Sequence, residues 1–168
     1  ILLFFILLPA VSASSFTGSF SDYGKDTGSD GLYNYLTIEA GVNINDTSKD
    51  YMLLGVLEDS QGNLIEYNNC RSVTATGNQI FILDFNGLEI YRNQVDGPYN
   101  LKYIEISSIA DCGNGGGMPP QIEHYLIDAH TTKLYTYTQF QKGQAAIYCN
   151  NSPCTASSTL IKSRDNLT

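Results

Sequence analysis

The 168-residue sequence predicts an all-β protein, an immunoglobulin-like two-sheet sandwich with an extended apolar strand at its N-terminus. Three observations predict it. Short apolar runs recur along the chain, Gly, Asn, Asp and Pro clusters separate them, and no stretch of helical length has a 3.6-residue apolar period.

From Phe16 onward the chain reads as strands. Leu36, Ile38, Ala40, Val42 and Ile44 alternate with Thr37, Glu39, Gly41 and Asn43, the period of a strand with one core face. Tyr51 to Leu57 is a nearly continuous apolar strand, and Ser60-Gln61-Gly62-Asn63 turns it into Leu64-Ile65-Glu66-Tyr67 as a hairpin. Gln79 to Phe85 is the next strand, with Asn86-Gly87 as its turn. Asp96-Gly97-Pro98 leads into a strand from Tyr99 to Ser107, and a Gly-rich loop runs from Asp111 to Pro120. Ile122 to Asp128 and Thr132 to Phe140 complete the set, with Tyr135 and Tyr137 on one side of the last. Residues 16–141 therefore form the sandwich, 1–15 an N-terminal apolar segment, and 142–168 a cysteine-containing last strand or tail.

Composition narrows the function classes. Charged residues are 15% of the chain, and polarity comes from neutral side chains and 15 Gly, a profile of secreted β proteins. The net charge is −8, with nine Lys and Arg scattered singly. Nucleic acid and anionic membrane surfaces both ask for clustered cations, so neither is an expected partner. The 12 Tyr, 7 Phe and absent Trp suit strands with one wet face.

Four cysteines, Cys70, Cys112, Cys149 and Cys154, allow three pairings, and none forms a zinc-type CxxC. Cys149 and Cys154 flank the turn-forming Asn150-Asn151-Ser152-Pro153 and are read as closing a small loop, which leaves Cys70 with Cys112. Sequons at Asn45, Asn150 and Asn166 agree with secretion and with N-linked glycans.

Ile1-Leu2-Leu3-Phe4-Phe5-Ile6-Leu7-Leu8 is too short to span a bilayer, and Pro9 interrupts it. In water each large side chain would forfeit about 1.5–3 kcal/mol of burial. One expectation is a strand lodged in a neighbouring subunit. The alternatives are the apolar core of a secretion leader, cleaved after Val11-Ser12-Ala13, and a membrane-embedded helix end.

Asp30-Gly31-Leu32-Tyr33-Asn34-Tyr35-Leu36-Thr37-Ile38-Glu39, Asp96-Gly97-Pro98-Tyr99-Asn100-Leu101 and Tyr135-Thr136-Tyr137-Thr138-Gln139-Phe140-Gln141 occur in that order. Over residues 16–141 the chain resembles the β-sandwich accessory domain of archaeal and bacterial surface proteins, which is also appended to some secreted proteases. The resemblance implies a non-catalytic extracellular module of large surface chains. The apolar terminus resembles that of donor-strand fibres, in which one subunit's strand completes the next subunit's sheet. It implies a head-to-tail homopolymer, a pilus-like filament.

Asp26, Asp30 and Asn34 fit a calcium loop of the form Asp-x-Asp-x-Asp-Gly followed by an oxygen donor three residues on, with Gly28 in place of the second acid and Asp22 as a compensating ligand. The alternative is the same turn without metal. His124 and His130 lie near Glu123 and Asp128, but no nucleophile or metalloprotease motif accompanies them, and no catalysis is expected. The paired acids Glu58 and Asp59 read as solvated beside a turn. Tyr33, Tyr35, Tyr99, Tyr103, Tyr135 and Tyr137 are either strand packing or a platform for surface glycans. The expected function is a filament subunit. A secreted carbohydrate- or surface-binding module with a cleaved leader is the alternative.

Overall fold

The computed structural model describes residues 13–72, 76–109, 120–143, 148–149 and 152–153. Seven strands follow in order: β1 (Ser15–Lys25), β2 (Tyr35–Ile44), β3 (Asp50–Glu58), β4 (Leu64–Ser72), β5 (Gly77–Asn86), β6 (Asn100–Ile109) and β7 (Gln121–Thr131). A short helix, α1 (Gly87–Asn93), joins β5 to β6. All pairings between these strands are antiparallel. One sheet has the order β1-β2-β5 and the other β4-β3-β6-β7, an immunoglobulin-like division of strands between two sheets. A two-residue ladder, β8 (Tyr148–Cys149) with β9 (Ser152–Pro153), lies in the C-terminal segment.

The alternation in β2 does what its period requires. Leu36, Ile38, Ala40, Val42 and Ile44 are all buried and, beside Leu83 and Phe85 of the neighbouring β5, share one core with Leu53 and Leu57 of β3 and Leu101, Ile104 and Ile106 of β6. Gly55 sits on the inner face of β3, where a Cβ would come within 2.6 Å of the Leu83 Cδ1. The sheets approach too closely there for any side chain. These seven strands fill their own intersheet space.

The β5–β6 crossover carries a tyrosine corner. Tyr99 is fully buried just ahead of β6, and its hydroxyl donates to the Val95 carbonyl at 3.0 Å. Its own N–H donates to Thr132 Oγ1 at 2.9 Å, which ties the crossover to the chain leaving β7.

Two sequence expectations change. Asn86-Gly87 does not make a hairpin turn: Asn86 Oδ1 accepts the Leu88 N–H at 2.9 Å and caps α1. Thr132 to Phe140 is not a strand. Its backbone bonds to the crossover instead, with Thr132 N–H donating to the Tyr99 carbonyl and Tyr135 accepting from Gly97 N–H, each at 2.9 Å. It then coils into a 3-10 turn at Tyr137–Gln139, whose Tyr137 N–H donates to Asp96 Oδ1. The buried ring of Phe140, packed against Tyr33, Tyr99 and Tyr135, closes that end of the sandwich.

Candidate functional site

The outer faces of the two sheets differ in chemistry. On the three-stranded sheet, Ser21 donates to Glu39, Thr37 donates to Asp84, and Lys25 pairs with Asp84 at 2.8 Å. These bonds make a polar, self-satisfied surface, broken by Ile80 and Ile82 on its β5 edge.

The four-stranded sheet presents a different surface. Register places Tyr67, Val56, Tyr103 and Ile127 in one cross-strand row, and Asn69, Leu54, Glu105 and Tyr125 in the next. Met52, Ser107 and Ile122 form a third row by register, in which Ser107 is fully buried. In β3 the core takes Tyr51, Leu53 and Leu57, so period 2 turns Met52, Leu54 and Val56 outward. Tyr67 is 63% exposed, Ile127 62%, Ile122 57% and Tyr125 54%. With strands about 4.8 Å apart and same-face residues about 6.7 Å apart, the grid covers roughly 200 Å². A patch of this size is within what ordinary monomers expose, and what sets it apart is its contrast with the polar outer face of the three-stranded sheet.

At the centre of the grid, Tyr103 and Tyr125 stack with centroids 5.9 Å apart. The Tyr103 hydroxyl donates to Glu105 Oε2 at 2.5 Å, and Ser107 Oγ donates to Glu105 Oε1 at 3.2 Å. That bond to a carboxylate pushes the Tyr103 phenol up to about 12. Both Glu105 oxygens thus have partners, so the carboxylate can be covered without being orphaned. Near the row, Lys102 and Asp128 form an exposed ion pair at 2.7 Å, the kind of charged rim that surrounds an apolar contact.

The residues singled out from sequence fall elsewhere. Asp26 accepts the N–H groups of Gly28, Ser29 and Gly31, and these hold its carboxyl below the usual range, Gly31 foremost. Asn34 Oδ1 accepts from Thr27 and Gly28, and Asp30 accepts from Leu32 and from Gln141 Nε2. The loop's oxygens are turned to its own amides, and a calcium ion would have to displace those bonds. Asp22 does not join that loop. Its carboxylate takes the Tyr135 hydroxyl at 2.8 Å and the Lys133 N–H at 3.2 Å, and His130 Nε2 lies 2.8 Å away. Burial would raise the Asp22 pKa, but the bonds from His130, Tyr135 and Lys133 together bring it below the usual value. Asp22 is therefore a clamp between β1 and the chain after β7. Among the described residues no three of His, Cys, Asp and Glu cluster as a metal site would require.

His124 is likewise structural: Nδ1 accepts the Phe16 N–H at 3.3 Å, and its ring lies against Phe16. Of the six tyrosines considered as a platform, Tyr99 and Tyr135 are buried, and Tyr33 packs on Phe140 at the closed end. Tyr103 alone lies in the grid, and its exposed companions there, Tyr67 and Tyr125, were not singled out by sequence. Asn45 is exposed, between β2 and β3, and its Nδ2, the atom that would carry a glycan, donates to the Ala13 carbonyl at 2.7 Å. The sequons at Asn150 and Asn166 lie outside the described residues, as do Cys112, Cys154 and the run from Ile1 to Leu8. Cys70 and Cys149 are described as strand backbone only, so their pairing also falls outside. Among the described residues no helix is long and apolar enough to cross a membrane. No protein-family model and no curated protein matches the chain.

Proposed function

We propose that the protein is a secreted, non-catalytic assembly module that docks through the outer face of its four-stranded sheet onto neighbouring copies of itself. The observation that carries this reading is the grid of Tyr67, Val56, Tyr103 and Ile127 beside Leu54, Glu105 and Tyr125. Secretion is supported by the leader-like apolar run, the small-residue Val11-Ser12-Ala13, the exposed sequon at Asn45 and the dearth of charge.

Filament formation by strand donation would need an open acceptor groove. The intersheet space here is occupied by the chain's own side chains, and Leu36, Leu53, Leu83 and Leu101 have no solvent exposure. Strand addition to the edge strands β1, β5, β4 or β7 needs no such groove, and we base assembly on the sheet face because it is the exposed apolar surface. Covering about 200 Å² on each of two partners gives at most about 10 kcal/mol at 25 cal/mol/Å² of apolar surface, and less because Asn69, Glu105 and Ser107 are part of the grid. Lost rigid-body freedom costs about 4–15 kcal/mol. A single contact is weak, and the module works by repetition along a surface array.

A second reading, a glycan platform, is favoured by the Tyr103–Tyr125 stack with a carboxylate beside it. Sedimentation of the parent and of a Tyr67→Ser, Tyr125→Ser, Ile127→Ser variant separates the two. Reversible self-association that weakens at least about tenfold in the variant supports docking between copies. A monomeric parent that binds oligosaccharides through the same residues would transfer the face to glycans.

A further inference from the structure

We infer that the chain is cut between Ala13 and Ser14 and that the new α-ammonium of Ser14 is captured by Glu123, locking β1 against β7. The inference rests on the secreted reading above. Its geometry stands on described residues alone.

Ser14 is only 1% exposed, and its backbone nitrogen lies 2.7 Å from Glu123 Oε2. The Glu123 side chain is itself 9% exposed, and its other oxygen receives Lys49 Nζ at 3.0 Å. Lys49 also lies 3.9 Å from Asp46. Of these three charged groups two are negative, so a second cation beside Oε2 evens the count. An amide N–H already gives the ionised Glu123 one charge-assisted bond there, and an ammonium in its place adds the opposite charge and so completes an ion pair. Burial pushes the Glu123 pKa up, but the bonds from Ser14, Lys49 and Ser108 bring it below the usual range. The carboxylate is thus ionised and ready to receive a cation. Its neighbours hold the same corner: Ser14 Oγ accepts the Asn45 N–H at 3.3 Å, and Phe16 N–H donates to His124.

Val11-Ser12-Ala13 supplies the small residues that a signal-peptidase-class hydrolase accepts before its scissile bond. The C–N bond breaks, water's hydroxyl goes to the Ala13 carbonyl carbon, and a proton goes to the Ser14 nitrogen. That amine then takes a second proton from solvent.

Two measurements test the two halves separately. Intact mass and N-terminal sequencing of the full chain after secretion should give a protein beginning at Ser14. A retained or differently trimmed terminus overturns the processing step, and with it the secreted reading's leader. Capture is tested on a chain produced to begin at Ser14, whatever the first result. By NMR titration its α-amine should hold its proton at least about tenfold more tightly than an ordinary terminus of pKa about 7.7–8.0. Glu123→Gln should return it to the ordinary value. Acetylating the amine should lower the melting temperature of the parent but not of Glu123→Gln. An ordinary α-amine pKa, or equal melting temperatures with and without acetylation, overturns capture.

Discussion

Tyr99 shows how much of the fold one hydroxyl can hold. Its bond to Val95 fixes the crossover while the ring joins the core against Phe140. Tyr99→Phe keeps the ring and orphans a carbonyl, and it should cost about 1 kcal/mol in urea unfolding without changing the fold. Asp59 was misread from sequence as a solvated acid beside a turn. It is fully buried and accepts the N–H groups of Gln61 and Asn63 and the side-chain amides of Asn63 and Asn93. Burial would raise its pKa, but those bonds, Asn93 first, bring it below the ordinary value. A carboxyl depressed on folding stabilises fully above its unfolded pKa, near 3.9, and that stability is lost as pH falls through the folded value. Asp59→Ala should destabilise the protein by about 2–3 kcal/mol at pH 7, and the difference from the parent should shrink in acid. Three of these bonds come from the turn that Asp59 opens, an Asx-type signal that sets it apart from Glu58, and the fourth comes from Asn93, 34 residues away. For the Asp26–Asn34 loop, whose oxygens already accept N–H groups, chelation should shift the melting temperature by less than about 1 °C. A drop of several degrees would show that calcium opens and occupies it.

At the scale of elements, strands with one buried face were legible because period 2 is written into their side chains. The reading of 36–44 and 51–57 matches β2 and β3 to within a residue or so. β4 extends past Tyr67 to Ser72 because it pairs along the whole of β3, and its polar stretch Asn68-Asn69 carries no apolar signal. The helix α1 escaped notice because seven residues hold too few turns to display a 3.6 period, and its cap Asn86 looks like a hairpin residue. Thr132 to Phe140 alternates like a strand, yet its hydrogen bonds go to the β5–β6 crossover, a partner that local pattern cannot name. Gly55→Ala tests the closeness of the two sheets. It should destabilise by about 1–3 kcal/mol, since the new methyl meets Leu83, Leu101 and Phe85 at once. An unchanged urea midpoint would mean that the sheets can part there without penalty.

For the whole molecule, the lesson lies in the contrast between two outer faces. In the four-stranded sheet, Tyr51 to Leu57 taken alone reads as a nearly continuous apolar strand, and a buried strand is the economical interpretation. Only the register reveals that the outward residues of four strands meet in one exposed grid with Glu105 at its centre. The three-stranded sheet spends its outer face on bonds among Ser21, Glu39, Thr37, Asp84 and Lys25, and is the less suited to docking. Assembly through the grid also leaves the corner at Ser14, Glu123 and Lys49 free to receive a new terminus. Amide chemical shifts followed across a concentration series test this most directly. The account predicts concentration-dependent shifts centred on Leu54, Val56, Tyr67, Tyr103, Glu105, Tyr125 and Ile127, with the β1-β2-β5 face unmoved. Shifts confined to the β1-β2-β5 face, or none at any concentration, would contradict it.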